Sequence, residues 1–289
     1  MREPAGFVFS FRAMASPCEV RLDGQDEVSA LAAGQAAEAE ALRIERKFSR
    51  YLPESVVGRV NASAGRELEV DEETATLLDF ASQCFELSGG LFDITTGVLR
   101  RIWRFDGSDR LPSAEEIRAL RPLIGWNKVK WQRPALRLPA GMEIDLGGLG
   151  KEYAVDCVMG LVQQTTPLPA LVNFGGDLRV SGLRADGGVW TVAIESVDED
   201  GRAAGILGLG GGALATSGDA RRFLLKNGVR YSHILNPRTG RPVIGAPRSV
   251  TVAAPTCIEA GMIATLAMLQ GRRAEVFLKR EQVKAWCIR

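Results

Sequence analysis

The spacing of apolar and polar residues predicts that strands and amphipathic helices follow one another along the chain. Residues 7–22 alternate Phe and Val with polar positions and are interrupted at Ala15-Ser16-Pro17, a pattern typical of a strand that begins or ends at a kink. Residues 27–50 carry apolar residues near helical spacing and predict a long amphipathic helix. A second helix is predicted over 71–88, with Asp71 as its N-cap and two glycines as its stop. Further helices are predicted over 113–120, 153–164 and 258–269, the first with a capping box, and further strands over 170–173, 189–195 and 249–254.

This mixture of strands and helices predicts an α+β fold. The sequence shows no internal repeat, no low-complexity tract and no clear linker, so residues 1–289 are predicted to form a single globular unit. A chain of 289 residues is long enough to bury about three quarters of its unfolded surface. Residues 185–188 and 197–212 are expected to be the most flexible segments.

Composition narrows the possible partners and the cellular location. The chain is 46% hydrophobic and 25% charged with a formal net charge of +1, which gives no electrostatic reason to expect nucleic acid or an anionic membrane as a partner. Its five cysteines are odd in number, scattered and without zinc-site spacing, so they are expected to be reduced and buried. The first 22 residues include the charged residues Arg2, Glu3, Arg12 and Glu19 and no long apolar run, so neither a secretory signal nor membrane insertion is expected. A cytoplasmic location is the resulting prediction.

The stretch 143–156 carries the strongest indication of chemistry. Clustered glycines interrupt an apolar segment, which restarts at Lys151 with helical spacing. Glycines allow backbone N–H groups to approach a ligand, and the first turn of a helix offers unpaired donors and the positive end of a dipole. The pattern therefore predicts a phosphate site, in which Asp145 could accept a hydrogen bond from a ribose or base or help to hold a cation. A purely structural strand-to-helix turn explains the same pattern about equally well.

Four other segments combine turns with polar or aromatic residues. Their aromatics could sandwich a planar ring, although core packing explains them equally well, and the glycine pair at 175–176 fits a plain hairpin. His233 is the only histidine, and a single histidine is more often structural than catalytic. The segments are Phe48-Ser49-Arg50-Tyr51, residues 88–95 followed by Trp103-Arg104-Phe105, residues 173–177, and residues 232–240.

Taken in order, these segments resemble the ApbE family of FAD:protein FMN transferases. The likeness covers nearly the whole chain, and seven motifs in the family's order carry it. They are Ala13-Met14-Ala15-Ser16, Phe48-Ser49-Arg50-Tyr51, the Ser-Gly-Gly-Leu-Phe-Asp-Ile-Thr run at 88–95, the Asp-Leu-Gly-Gly run leading to Lys151, Asn173-Phe174-Gly175-Gly176-Asp177, Ser217-Gly218, and the run at 232–240 that begins Ser-His-Ile.

The resemblance implies a T-fold-related α+β architecture with a ligand cleft between subdomains. It also implies transfer of the FMN half of FAD to a Ser or Thr hydroxyl of an acceptor flavoprotein, with release of AMP and with Mg²⁺ on the phosphates. By the match, the residues that would contact FAD are Met14, Tyr51, Trp103, Arg104, Phe105, Asp145 and Lys151. The metal would be held by the Gly148 carbonyl and by Thr265. His233 would act as a base or orienting group near the transfer centre.

One departure from the family pattern affects the metal site. Where the family's helix carries Ala-Asp-Ala-Leu-Ala-Thr, this chain has Gly261 in place of the Asp, although Thr265 remains. A hard cation loses its carboxylate ligand there. Glu259, two residues away, projects from nearly the opposite side of a helix. Glu152 follows the lysine where Gly is usual, and Asn236 stands where Asp is usual.

Three functional alternatives follow from this departure. The chain could be an active transferase in which water, Asp145, Asp177 or another carboxylate replaces the missing ligand. It could be a non-catalytic FAD-binding protein. It could also be a structural protein that uses the fold without a ligand.

Overall fold

The computed structural model describes residues 2–3, 6–106, 108–197, 202–219 and 222–289, and its secondary structure alternates as the sequence predicts. Its helices are α1 (Glu27–Phe48), α2 (Val56–Asn61), α3 (Glu72–Leu87), α4 (Ala114–Leu120), α5 (Gly150–Thr165), α6 (Cys257–Leu269) and α7 (Ala274–Arg280), with 3₁₀ turns at Ile94–Arg101, Arg121–Leu123, Trp126–Lys128 and Gly271–Arg273. Its strands are β1 (Arg2–Glu3), β2 (Gly6–Ala13), β3 (Ser16–Asp23), β4 (Glu67–Glu69), β5 (Lys130–Gln132), β6 (Ala135–Arg137), β7 (Ala170–Phe174), β8 (Asp177–Val180), β9 (Trp190–Glu195), β10 (Ala203–Leu209), β11 (Gly212–Gly218), β12 (Phe223–Lys226), β13 (Val229–Ser232), β14 (Leu235–Asn236), β15 (Arg241–Pro242), β16 (Ser249–Ala254) and β17 (Lys284–Ile288).

An antiparallel sheet of eight strands forms the centre of the fold. Its strand order is β1-β2-β3-β7-β8-β11-β16-β17, and every neighbouring pair is antiparallel. A small sheet, β4-β6-β5, and three two-stranded ribbons, β9 with β10, β12 with β13 and β14 with β15, lie outside it. The α+β prediction is confirmed.

The two faces of this sheet are covered differently, because side chains alternate along a strand. Helices α1, α5 and α6 pack on one face, where Val172 and Phe174 of β7 join the main core. On the other face, Leu171 packs with Leu178 and with Trp190 of the β9–β10 ribbon. Each strand of the sheet centre is therefore buried on both sides.

Local capping explains why the helices begin where the sequence predicts. Asp71 accepts a hydrogen bond from the backbone N–H of Thr74 at the start of α3. Ser113 and Glu116 form a complete capping box at the start of α4. These side chains satisfy N–H groups that a helix start leaves unpaired, so they define its first residue.

The predicted kink at residues 15–17 is a hairpin turn in the structure. Met14 and Ala15 have φ values of 51° and 56°, and Ala13 pairs with Ser16 across the turn. Two successive residues in the left-handed region match the twist of a tight hairpin, which is why the chain reverses there instead of bending. Met14 also donates its N–H to Oε1 of Glu45 on α1, at 2.9 Å.

The segment 197–212, expected from its composition to be flexible, contains a strand. Residues 203–209 form β10, which pairs with β9 despite its glycines. Residues 198–201 lie outside the described residues. Local composition does not reveal this cross-strand pairing, which supplies the hydrogen bonds of β10.

An ion cluster ties α1 to α3 and α5. Glu73 of α3 accepts hydrogen bonds from Arg43 at 2.7 and 2.9 Å, from Lys47 at 2.6 Å, and from the hydroxyl of Tyr153 at 2.9 Å. These bonds, those from Arg43 first, lower the pKa of Glu73 to about 2. The cluster therefore joins α3 to α1 and α5, two of the helices that pack on the sheet.

The cysteines and the helices bear on the predicted environment of the chain. All five cysteines are free; Cys18, Cys84 and Cys257 are buried, and Cys157 and Cys287 are half-buried, which largely confirms the expectation. Across the described ranges, none of the helices combines the length and apolar character that crossing a bilayer requires.

Candidate active site

The glycine-rich turn predicted at a helix mouth leads directly into α5. Leu149 occupies the N-cap position and makes no side-chain capping hydrogen bond. Gly147 and Gly148 are exposed on the turn before it. An uncapped helix start behind an exposed glycine turn is the backbone arrangement that anion sites use.

Asp145 is engaged within the protein. Its carboxylate pairs with the guanidinium of Arg50 and accepts the N–H of Gly147 at 2.9 Å. Its own N–H donates to the carbonyl of Ile94 at 2.9 Å. A ligand that forms a hydrogen bond with the Asp145 carboxylate must therefore share that carboxylate with Arg50.

Two side chains that were not among the predicted site residues position this turn. Arg50 pairs with Asp145, and Asn61 exchanges two hydrogen bonds with the backbone of Ile144, at 2.7 and 3.0 Å. Arg50 follows α1 and Asn61 ends α2, both more than eighty residues from the turn. In the sequence, the Phe-Ser-Arg-Tyr motif that contains Arg50 and the polar residues after it marked this region.

Lys151, in the first turn of α5, forms an ion pair with a buried carboxylate. Its Nζ lies 2.6 Å from Oδ2 of Asp177 on β8, whose other oxygen accepts the N–H of Thr216 at 2.9 Å. Burial alone would lower the pKa of Lys151, but the charges of Asp177 and Glu152 outweigh it and raise that pKa. The ion pair joins two sequence motifs, the helix mouth and the Gly-Gly-Asp turn, into one site.

Glu152 occupies the space that a side chain at position 261 would fill. A Cβ placed on Gly261 of α6 would lie 2.6 Å from Cγ and 2.9 Å from Oε1 of Glu152. Among the described residues, Oε2 of Glu152 is buried without a hydrogen-bond partner. Burial, reinforced by the charge of Asp177, raises the pKa of Glu152 to about 8.

The start of α6 is fixed by an acidic residue of α5 that the sequence analysis did not single out. Asp156 accepts the backbone N–H groups of Cys257 and Ile258, each at 2.9 Å, and pairs with Arg179 at 2.8 Å. Its carboxylate is thus fully engaged, unlike that of Glu152. These bonds hold α5 and α6 in register where Glu152 meets Gly261.

Of the two predicted metal ligands, Thr265 lies on the α6 face that carries Gly261. The two residues are four apart, one turn of a helix, and Oγ1 of Thr265 lies 3.3 Å from Oγ of Ser217 on β11. Gly148 lies on the exposed turn before α5, where a Cβ would meet the ring of Phe92 at 3.7 Å.

His233 and two predicted aromatics form a separate group beside the site. Nδ1 of His233 lies 3.1 Å from the carbonyl oxygen of Arg222, so in the neutral ring Nδ1 carries the proton and Nε2 keeps its lone pair. Burial lowers the pKa of His233, and the charge of Lys151 is among those that act on it. Phe105 packs edge-on against His233 and stacks on Trp103.

Trp103 lies deeper than a ring-binding role requires. It is only 5% exposed, and its Nε1 donates to the carbonyl of Gly240 at 2.9 Å. Core packing, the alternative left open by the sequence, accounts for this ring, whereas Phe105 is half-buried and Arg104 is exposed.

Two of the residues expected to contact FAD differ in exposure. Tyr51 is 72% exposed, and its hydroxyl accepts a hydrogen bond from Arg50 at 2.8 Å. Met14 is half-buried at the tip of the β2–β3 hairpin. Arg50 therefore links Tyr51 to Asp145.

Two cavities of the described residues lie away from this group. One, of about 460 Å³, is lined by residues that include Arg21, Asn173 and Trp190. The other, of about 520 Å³, is lined by residues that include Asp93 and Arg238. Neither is lined by Lys151, His233 or Thr265.

Comparisons with known proteins agree with the geometry. The model of the ApbE family matches residues 14–287. A FAD:protein FMN transferase of Vibrio cholerae serotype O1 is 34% identical over 235 residues, which cover 79% of this chain and 70% of the relative. One of Escherichia coli strain K12 is 30% identical over 256 residues, covering 84% and 73%.

Solved structures show the same architecture. The ApbE protein of Thermotoga maritima matches with a TM-score of 0.89 and 28% identity, covering 98% of this chain and 94% of that one. The flavin transferase ApbE of Vibrio cholerae matches with a TM-score of 0.86 and the same identity and coverage. With the family model spanning almost the whole chain and its motifs meeting around Lys151, this chain belongs to the ApbE family.

Proposed function

We propose that residues 1–289 act as one unit that transfers the FMN moiety of FAD to a Ser or Thr hydroxyl of an acceptor flavoprotein. The observation that carries this proposal is the Lys151–Asp177 ion pair at the uncapped start of α5, in a chain whose relatives are named FAD:protein FMN transferase. A half-buried ammonium at a helix start without a side-chain cap suits the phosphates of a dinucleotide.

The reaction is a phosphoryl transfer. The acceptor hydroxyl oxygen attacks the FMN-side phosphorus of the diphosphate, the bond from that phosphorus to the bridging oxygen breaks, and AMP leaves with that oxygen. Positioning and charge neutralisation provide most of the catalysis in such reactions. The residues of the site are assigned to these tasks below.

Lys151 and the N–H groups at the start of α5 would hold the diphosphate. Met14, Tyr51, Arg104 and Phe105 are the accessible candidates for contact with the ring systems of FAD, and Trp103 would support Phe105 from beneath. Asp145 would contribute through its link to Arg50.

His233 would receive the proton of the acceptor hydroxyl. Its Nδ1–H is engaged with the Arg222 carbonyl, which leaves the Nε2 lone pair as the proton acceptor. Because burial lowers its pKa, the ring is neutral at pH 7 and competent as a base.

The chain's oxygen donors fit Mg²⁺, which prefers hard oxygen ligands. Thr265, through its hydroxyl, and Gly148, through its carbonyl, would hold it. The carboxylate oxygen of Glu152 that has no hydrogen-bond partner among the described residues is buried beside α6, the helix that carries Thr265. When bound, Mg²⁺ would neutralise charge that develops on the phosphate oxygens. The proposal also places the protein in the cytoplasm, where its five free thiols would stay reduced.

The test uses the purified chain with FAD, Mg²⁺ and a library of Ser- and Thr-containing peptides. We expect mass spectrometry to detect an FMN-sized increment on a hydroxyl residue, together with equimolar AMP. His233→Asn should abolish the increment while FAD binding persists. Tight FAD binding by the wild type without AMP release would instead support the non-catalytic alternative.

A further inference from the structure

The meeting of Glu152 with Gly261 has a feature that simple helix packing does not explain. A carboxylate oxygen buried without a hydrogen-bond partner is unfavourable, and Oε2 of Glu152 is such an atom among the described residues. Native proteins leave few polar groups in this state, and the binding of an ion is one of the usual reasons.

The charges around Glu152 favour a cation beside it. Asp177 and Asp156 repel a negative charge on Glu152, and Lys151 attracts it. Asp156 is balanced by Arg179 and by two backbone N–H groups of α6. Lys151 pairs directly with Asp177, so among the described residues Glu152 has no ion-pair partner of its own.

Gly261 is what allows this carboxylate to reach its place. Any Cβ at position 261 would lie within 3.0 Å of three atoms of the Glu152 side chain, closer than real Cβ contacts. Helices α5 and α6 pack together, so the Glu152 side chain crosses from one helix to the surface of the other. Its carboxylate therefore occupies the position that a short side chain on α6 would otherwise fill.

That position lies one helical turn from Thr265. Side chains four residues apart on a helix have Cβ atoms about 6 Å from each other and share a face. The Thr265 hydroxyl lies 3.3 Å from that of Ser217 on β11, so Thr265 points from α6 towards the sheet. The Glu152 carboxylate lies against the same helix at Gly261, one turn earlier. Carboxylate and hydroxyl oxygens form a donor set typical of hard divalent cations.

We infer that Glu152 supplies, from α5, the carboxylate ligand of a divalent cation whose other side-chain ligand is Thr265 of α6. The inference deepens the proposed function, because it names the ligand that replaces the carboxylate absent at Gly261. It applies to this chain's own pair of residues, Glu152 and Gly261.

The direct test measures Mn²⁺ binding by electron paramagnetic resonance, without FAD or acceptor. Glu152→Gln keeps the size of the side chain and removes its charge. We expect it to weaken Mn²⁺ binding by at least about 10- to 100-fold, the range seen when even outer ligand partners are lost. The matched control is Glu259→Gln, which removes an exposed carboxylate from the first turn of α6 and should leave affinity unchanged.

A second arm moves the carboxylate to the other helix. In the double variant Glu152→Gly with Gly261→Asp, we expect Mn²⁺ affinity to recover by about tenfold or more relative to Glu152→Gln. If Glu152→Gln fails to fold, the double variant is compared with Glu152→Gly alone, whose Mn²⁺ affinity it should exceed by the same factor. A melting temperature that rises with Mg²⁺ in the wild type and not in Glu152→Gln separates ligation from a packing role.

Three results would overturn the inference: a wild type that binds no Mn²⁺, Glu152→Gln binding as tightly as Glu259→Gln, or a double variant no tighter than Glu152→Gln. The proposed function is judged separately. If the wild type binds Mn²⁺ through Glu152 but forms no AMP from FAD, the transfer proposal fails and the ligand assignment stands.

Discussion

The Lys151–Asp177 ion pair offers the sharpest test of how the site is held together. We consider Lys151→Met, Asp177→Asn and the double variant. The Asp177 side chain is 3% exposed and the Lys151 side chain 28% exposed. Removing the lysine leaves a carboxylate buried and unpaired, whereas removing the carboxylate leaves an ammonium that can turn towards water. The two single substitutions should therefore have unequal effects.

The magnitude follows from the distance. At 2.6 Å and an effective dielectric constant of about 20, two unit charges attract by about 6 kcal/mol before desolvation is subtracted. Breaking a buried pair is destabilising by about 3–5 kcal/mol in practice, and the partial exposure of Lys151 favours the lower end. We expect Lys151→Met to lower the free energy of unfolding by about 3 kcal/mol and Asp177→Asn by about 1–2 kcal/mol. The asparagine can still accept the N–H of Thr216, which limits the second loss.

Urea unfolding followed by tryptophan fluorescence measures all three variants, with unchanged m-values as the check on two-state behaviour. The coupling energy from the double-mutant cycle should be about 1–3 kcal/mol. Arg280→Met, which breaks the exposed pair with Glu281, is the control and should change stability by less than about 0.5 kcal/mol. A coupling energy below about 0.5 kcal/mol, or a larger loss for Asp177→Asn than for Lys151→Met, would refute the reasoning.

Three further predictions concern pH and packing. Because burial lowers the pKa of His233 below 6.5, the stability associated with the neutral ring is complete above pH 6.5 and is lost as pH falls below it. The unfolding free energy of the wild type minus that of His233→Asn should therefore decrease as pH falls from 7.5 to 5, and a difference that does not change with pH contradicts the prediction. Hydrogen bonds from Arg43 above all hold the pKa of Glu73 near 2, so its carboxylate stabilises the fold fully above pH 4.5 and less as pH falls from 4.5 towards 2. Glu73→Gln should therefore lower the free energy of unfolding by about 2 kcal/mol at pH 7 and by much less near pH 2. Gly34→Ala would place a Cβ against the ring of Phe9 on β2 and should destabilise the fold by about 1–3 kcal/mol in thermal unfolding. Gly160→Ala on α5, where the space is open, should instead stabilise it by about 0.5–1 kcal/mol. Equal effects of the two substitutions would show that α1 does not pack tightly on Phe9.

Helix starts could be predicted from sequence because the signals are local. Asp71 caps a backbone N–H three residues later, and Ser113 with Glu116 completes a capping box, so each start is encoded within one turn. The strand at 249–254 was predicted with the bounds that the structure has, because three β-branched residues in succession, Val250, Thr251 and Val252, favour a strand.

Contacts between distant segments could not be predicted in this way. The hydrophobic pattern around Trp103 and Phe105 does not reveal which ring enters the core, because that depends on Gly240, more than 130 residues away. The pairing of Arg50 with Asp145 joins two motifs that the resemblance placed in one site but did not connect. The composition of residues 203–209 does not show that they pair with β9.

The departures at Glu152 and Gly261 make the same point in physical terms. They lie 109 residues apart in sequence, and each alone would be unfavourable. An aspartate at 261 beside Glu152 would bring two carboxylates into collision, since even a Cβ there lies 2.9 Å from Oε1. A glycine at both positions would leave a gap between α5 and α6 with no carboxylate at all. In the sequence, the loss of an acidic residue at Gly261 and the gain of one at Glu152 look unrelated. Between the two helices they amount to one carboxylate, supplied from α5 instead of α6.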